Sequence, residues 1–209
     1  MFCCIAASAH AQSAADPENL STNARFLVAA RNADPAAMKR ELAAGAAVNS
    51  RNRLGETALV IVLKKDRADL ATLLLDAGAD VGQPALNGIT PLMAASFAGQ
   101  DAIVKRLLAQ GADPKPTDRL RKTAMVYAAG EGRSDIVRQL LAAGIPVDQV
   151  YANDLTALMW AAGYGKTDTV RVLLAAGADP ARKDNRGKTA AAIARDGGFK
   201  ETAALLENR

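Results

Sequence analysis

Apolar residues come along this chain in short blocks with helical spacing, broken at regular intervals by glycine. Ile103, Val104, Leu107 and Leu108 stand at i, i+1, i+4 and i+5 and make one apolar face, which predicts a helix over 101–108. Ahead of it, 93–98 reads MAASFA, small and apolar, and predicts a shorter helix that stops at Gly99. Thr90 is placed to cap that helix. Pro91 fills its first position, where a missing N–H costs nothing. Asn87-Gly88 predicts the turn before it, because both residues tolerate positive φ. Gly111 predicts a left-handed end to the second helix.

This block recurs. Gly45, Gly78, Gly111, Gly144 and Gly177 are spaced by 33 residues, and so are Thr57, Thr90, Thr123, Thr156 and Thr189. A period of this length marks a stacked solenoid, in which each unit buries its apolar face only against its neighbours. Six units are predicted, over 22–49, 50–82, 83–115, 116–148, 149–181 and 182–209, each a β-turn followed by two antiparallel helices. Residues 12–21, polar and carrying Pro17, are predicted to be a linker. The end units are predicted to present polar outer faces, because Glu41 and Glu207 stand where the middle units have leucine.

The run GITPLMAASFAGQDAIVKRLLAQGADP resembles an ankyrin repeat, whose signature is T-P-L-H-x-A. GETALVIVLKKDRADLATLLLDAGAD, KTAMVYAAGEGRSDIVRQLLAAGIPVD, LTALMWAAGYGKTDTVRVLLAAGADP and GKTAAAIARDGGFKETAALLENR share its register. The first unit is the weakest, with Ala24 where the others have Thr. There are departures. Only Thr90 is followed by Pro, and Val60, Met93, Val126, Met159 and Ala192 replace the signature His, so packing is expected to stand in for its hydrogen bonds. Arg121 and Asp154 replace the turn glycine, and Asp66 replaces the glycine between the helices of the second unit.

The resemblance implies an all-α solenoid of six stacked ankyrin repeats. It also implies that fingertips and first helices line a concave surface that binds protein partners. Carried onto this chain, that surface presents Leu86, Ile89, Phe97, Leu120, Tyr151, Leu155 and Tyr164 as an apolar patch facing water, flanked by Arg119, Lys122 and Asn153. An apolar patch rimmed by polar groups marks an interaction site, and aromatic residues and Arg are its usual anchors. Trp160 and Tyr127 share a register with Ile61 and Ile193, which reads as packing.

Composition narrows the function further. Half of the 209 residues are apolar but only 4% are aromatic, so alanine and leucine carry the core and the helices must pack closely. A net charge of +4 is small for a dedicated nucleic-acid binder, and no nucleic-acid partner is expected. Asp80, Asp113 and Asp179 recur with the period and therefore serve the fold. Gly165-Lys166-Thr167 lacks the upstream glycine of a phosphate loop.

Residues 1–11, MFCCIAASAHA, read as a shortened signal peptide ending in a small-x-small cleavage pattern. Cys3, Cys4 and His10 all lie within it, so a mature chain starting at Gln12 has no thiol or imidazole for a disulfide, a metal site or catalysis. The expectation is an exported bacterial member of the family, periplasmic or secreted. It is expected to be monomeric and non-catalytic, with no cofactor or metal and no membrane insertion once the leader is removed. It holds an unidentified partner protein. Two alternatives remain open: a secreted effector that engages a host protein, and a cytoplasmic, antitoxin-like inhibitor of an enzyme that keeps its leader.

Overall fold

The computed structural model describes residues 20–208. The predicted leader, with Cys3, Cys4, His10 and the cleavage point after Ala11, lies outside them, as does 12–19 of the predicted linker. The described residues form twelve α-helices in six antiparallel pairs: α1 (Thr22–Asn32) with α2 (Pro35–Ala43), α3 (Ala58–Lys64) with α4 (Ala68–Asp76), and α5 (Pro91–Ala98) with α6 (Asp101–Ala109). They continue with α7 (Ala124–Glu131) and α8 (Ser134–Ala142), α9 (Ala157–Gly163) and α10 (Thr167–Ala175), and α11 (Ala190–Asp196) and α12 (Lys200–Glu207). The odd-numbered helices pack side by side in one row, and the even-numbered helices from α4 onward pack in a second. The result is the all-α solenoid that the period predicts.

The helix starts follow from the threonines. Thr57, Thr90, Thr123, Thr156 and Thr189 are extended N-caps, and each hydroxyl accepts from the backbone N–H three residues on, at 3.2–3.4 Å. That bond satisfies one of the N–H groups a helix leaves unpaired at its start. Of the residues in place of the signature His, Val60, Met93, Val126 and Met159 lie in the core as expected, and Ala192 in the last unit is only partly buried. The periodic aspartates also serve the fold. Asp80, Asp113 and Asp179 each accept from the N–H two residues on, at 2.8–3.0 Å, and so close the turn after the outer helix.

Between the helices of each pair the backbone turns through a left-handed residue: Ala33, Asp66, Gly99, Gly132, Gly165 and Gly198. The first residue before the next outer helix reaches back over this turn in the preceding unit. Arg67 donates to the Ala33 carbonyl at 3.1 Å, and Gln100 donates to the Asp66 carboxylate at 2.9 Å. The Arg133 guanidinium covers Gly99, the Lys166 stem covers Gly132, and the Phe199 ring covers Gly165 so closely that an added Cβ would sit 2.3 Å from it. One position per unit therefore staples each repeat to the one before.

The first end differs from the sequence expectation. Glu41 is not part of a polar outer face: it is 4% exposed, and its carboxylate accepts from Arg25 Nε at 2.9 Å and Arg40 Nε at 3.2 Å. The first helix pair fills the leucine position of the core with an ion pair instead of a hydrocarbon. At the other end Leu206 keeps that position apolar and is buried. Glu207 follows the register of Leu75, Leu108, Leu141 and Leu174, stays exposed as the polar end face requires, and pairs with Arg195.

Two measurements test this account. Leu140 is fully buried, and Leu140→Ala should lower unfolding free energy by about 2–5 kcal/mol in a denaturant titration. Arg25, and then Arg40, hold the Glu41 carboxyl below its ordinary value of 4.5 against the opposing effect of burial. A depressed carboxyl contributes stability above its unfolded pKa and loses it as pH falls through the folded one. The denaturation midpoint should therefore fall below about pH 4.5 in the wild type, and Glu41→Gln should fall less steeply over the same range.

Candidate partner-binding surface

Each fingertip is a tight backbone loop closed by two bonds. In the fourth unit the Asp118 N–H donates to the Lys122 carbonyl at 3.0 Å and the Arg121 N–H donates to the Asp118 carbonyl at 2.9 Å. Asn52, Asp118 and Asp184 add a side-chain oxygen that accepts from the N–H groups two and four residues on, at 2.8–3.0 Å. Adjacent fingertips are joined by backbone rungs: the Leu86 N–H donates to the Leu54 carbonyl, Arg119 to Asn87, and Asn185 to Asn153. Among the described residues no such rung joins the fourth fingertip to the fifth, where Ala152 would be the donor. There the chain makes a short 3-10 turn, Ala152–Asp154, with Asn153 and Asp154 both left-handed.

The structure divides the predicted surface residues into three groups. Leu86 and Leu120, 61% and 69% exposed, face water on the fingertips, with Arg119 and Asn153 exposed beside them. Ile89, Tyr151 and Leu155, expected to face water, instead pack half-buried against the core. They lean into the junctions between adjacent units, where their apolar surface leaves water. Burial pushes the Tyr151 phenol up to about 12, so it remains a protonated donor at neutral pH.

The third group is a continuous row. Phe97, half exposed, meets the Tyr127 ring edge-on with centroids 5.8 Å apart. The Lys122 ammonium lies 5.5 Å from the Tyr127 centroid and 5.2 Å from that of Trp160. Tyr164, 52% exposed, stacks on Trp160 at 6.0 Å with the planes 8° apart. A cation at this distance from a ring is attracted by its quadrupole, and two rings hold it in place. Asp118 anchors the row from below: its carboxylate accepts the Tyr127 hydroxyl at 2.6 Å. Burial and this bond raise the Tyr127 pKa. Sequence reasoning assigned Tyr127 and Trp160 to packing. They are half-buried, and they link the exposed members of the row. Their signal was aromatic residues in one register of adjacent units, with Lys122 just ahead of the first.

The model for ankyrin repeats matches residues 26–118, 99–184 and 125–208, which together run through nearly all of the described chain. The chain belongs to the ankyrin-repeat family. It is also 40% identical over 76 residues to the inactive serine/threonine-protein kinase TEX14 of Bos taurus, and 33% identical over 76 residues to that of Mus musculus. These matches take in 36% of this chain, which spans only 5% of the length of either relative. Among the described residues no helix is long and apolar enough to cross a membrane.

Within this ankyrin stack, Arg121 and Asp154 keep the left-handed turn conformation that glycine holds in the other fingertips, at φ 59° and 58°. The conformation is imposed by the loop bonds, and a residue with a Cβ is strained in it. Arg121→Gly should therefore raise unfolding free energy by about 1 kcal/mol, read as a higher denaturation midpoint with an unchanged helical spectrum.

Proposed function

We propose that this protein is a non-catalytic scaffold that binds a partner protein on the face formed by its fingertips and odd-numbered helices. The row Phe97–Tyr127–Lys122–Trp160–Tyr164 carries this reading. It combines large, half-exposed aromatic surface with a cation that no carboxylate of the described chain pairs. Aromatic side chains in this setting are typical binding anchors. Leu86 and Leu120 extend the apolar area along the fingertips. The matching partner presents an apolar side chain to Phe97 and Tyr164 and a carboxylate to Lys122. Stacked rings hold these groups in place before binding, which reduces the entropy lost on association.

Membership of the ankyrin family supports a binding role over a catalytic one. The leader ending in Ala9-His10-Ala11 supports export to the periplasm or beyond it, and the protein acts there as a monomer.

Crosslinked affinity capture from the producing cells, with a Phe97→Ala/Lys122→Gln/Tyr164→Ala variant beside the wild type, tests the site. A partner held by the wild type should be lost by the variant, each aromatic truncation costing about 2 kcal/mol of binding. Equal retention by a variant with the wild-type melting temperature would move the site elsewhere on the stack.

A further inference from the structure

The missing rung between the fourth and fifth fingertips leaves a cavity of about 350 Å³. It shares none of the five residues of the aromatic row. Two basic side chains, Lys115 and Arg121, line it, and no carboxylate does. Neither side chain has an ion pair or hydrogen bond among the described residues. Thr117 and Tyr151 add hydroxyls, and Ile145 and Pro146 supply apolar wall. Ala152 also lines the cavity, and its N–H, the donor of the absent rung, makes no hydrogen bond within the described chain.

The backbone around this cavity is unusual. Arg121 and Asp154 hold the left-handed turn position common to every fingertip, and Asn153 adds a second left-handed residue that no other fingertip has. Backbone held in such conformations collects where a site is built, because the surrounding structure must sustain its cost. The cavity has the size of a small-molecule site, with a lining of mixed apolar and polar surface.

We infer that the cavity between the fourth and fifth fingertips binds a small organic carboxylate, its anionic end on Arg121 and Lys115 and its apolar body against Ile145, Pro146 and Tyr151. The guanidinium fork matches the geometry of a carboxylate, and two cations in a lining without a carboxylate favour a single anionic group. Much of the wall is apolar, so a bare inorganic anion leaves it unfilled. The same chemistry is offered by a free small acid and by the C-terminal carboxylate of a peptide.

The experiment is an NMR titration of the full chain, following the amides of Ala152, Arg121 and Thr123. The probes are phenylpropionate, its amide, inorganic phosphate, and a tetrapeptide ending in phenylalanine with a free or amidated C-terminus. Saturable shifts at these amides with a free carboxylate, absent with the matching amide, are expected. Arg121→Gly should weaken binding about tenfold, and Lys115→Gln should weaken it to a lesser degree. Because glycine relaxes the backbone at position 121, loss of binding there is not a loss of fold, and the melting temperature verifies this. A response to phenylpropionate identifies a free acid as the source, and a response to the free-ended peptide alone identifies a protein terminus. Equal binding of acid and amide, equal binding of phosphate, unchanged affinity in Arg121→Gly, or no saturable shift with any probe up to about 10 mM would each overturn the assignment.

Discussion

None of these helices can stand by itself. The described helices run from seven to eleven residues, and isolated helices below about 12–15 residues are marginal in water. The stability of each therefore depends on lateral burial against the next unit, and the rest of the structure serves that stacking. Alanine keeps the rows close. Threonine caps settle the helix starts, and left-handed turns fold each pair back on itself. The residue just before each outer helix from the second unit onward then fastens the pair to its predecessor, by an arginine, a glutamine, a lysine stem or a phenylalanine ring. The position is constant and the chemistry varies, which shows that geometry is what the stack requires there.

Much of this was legible in the sequence, because a periodic fold writes its constraints repeatedly. Thr57 to Thr189 and Gly45 to Gly177 each state the same local requirement five times. The residues that depart from the pattern were harder to read. Glu41 stands in a leucine register and looked like a solvent-facing cap, because nothing local announces that Arg25, sixteen residues earlier, meets it in the core. Glu207 was the easier end to read, since it falls in the leucine register of Leu75, Leu108, Leu141 and Leu174 and stays exposed as a polar end face requires. Ile89, Tyr151 and Leu155 looked exposed because fingertips as a class are exposed. Whether a side chain leans outward or into the seam depends on the neighbouring unit.

The aromatic row was only half legible for a related reason. Phe97 and Tyr164 each read as a surface residue, whereas Tyr127 and Trp160 share a register with isoleucines and read as packing. Both descriptions hold: they are half-buried, and they hold Lys122 between them. A residue that packs within the stack can also present its face to a partner, and one-dimensional periodicity does not distinguish the two roles.

The junction between the fourth and fifth units lacks the backbone rung that joins other fingertips, yet side-chain links gather there. Lys122 spans rings from both units, Tyr164 lies over Gly130, and Ser134 and Thr169 share a hydrogen bond of 2.9 Å. In a linear array, stiffness is set junction by junction, and here the fingertip edge owes its continuity to exchangeable side chains instead of main chain. Lys122 and Tyr164 belong to both the clamp and the proposed contact surface. A ligand that draws the ammonium out from between its rings loosens the seam, and one that covers it in place tightens it. Occupancy of the face and flexibility of the stack are thereby tied to the same few atoms.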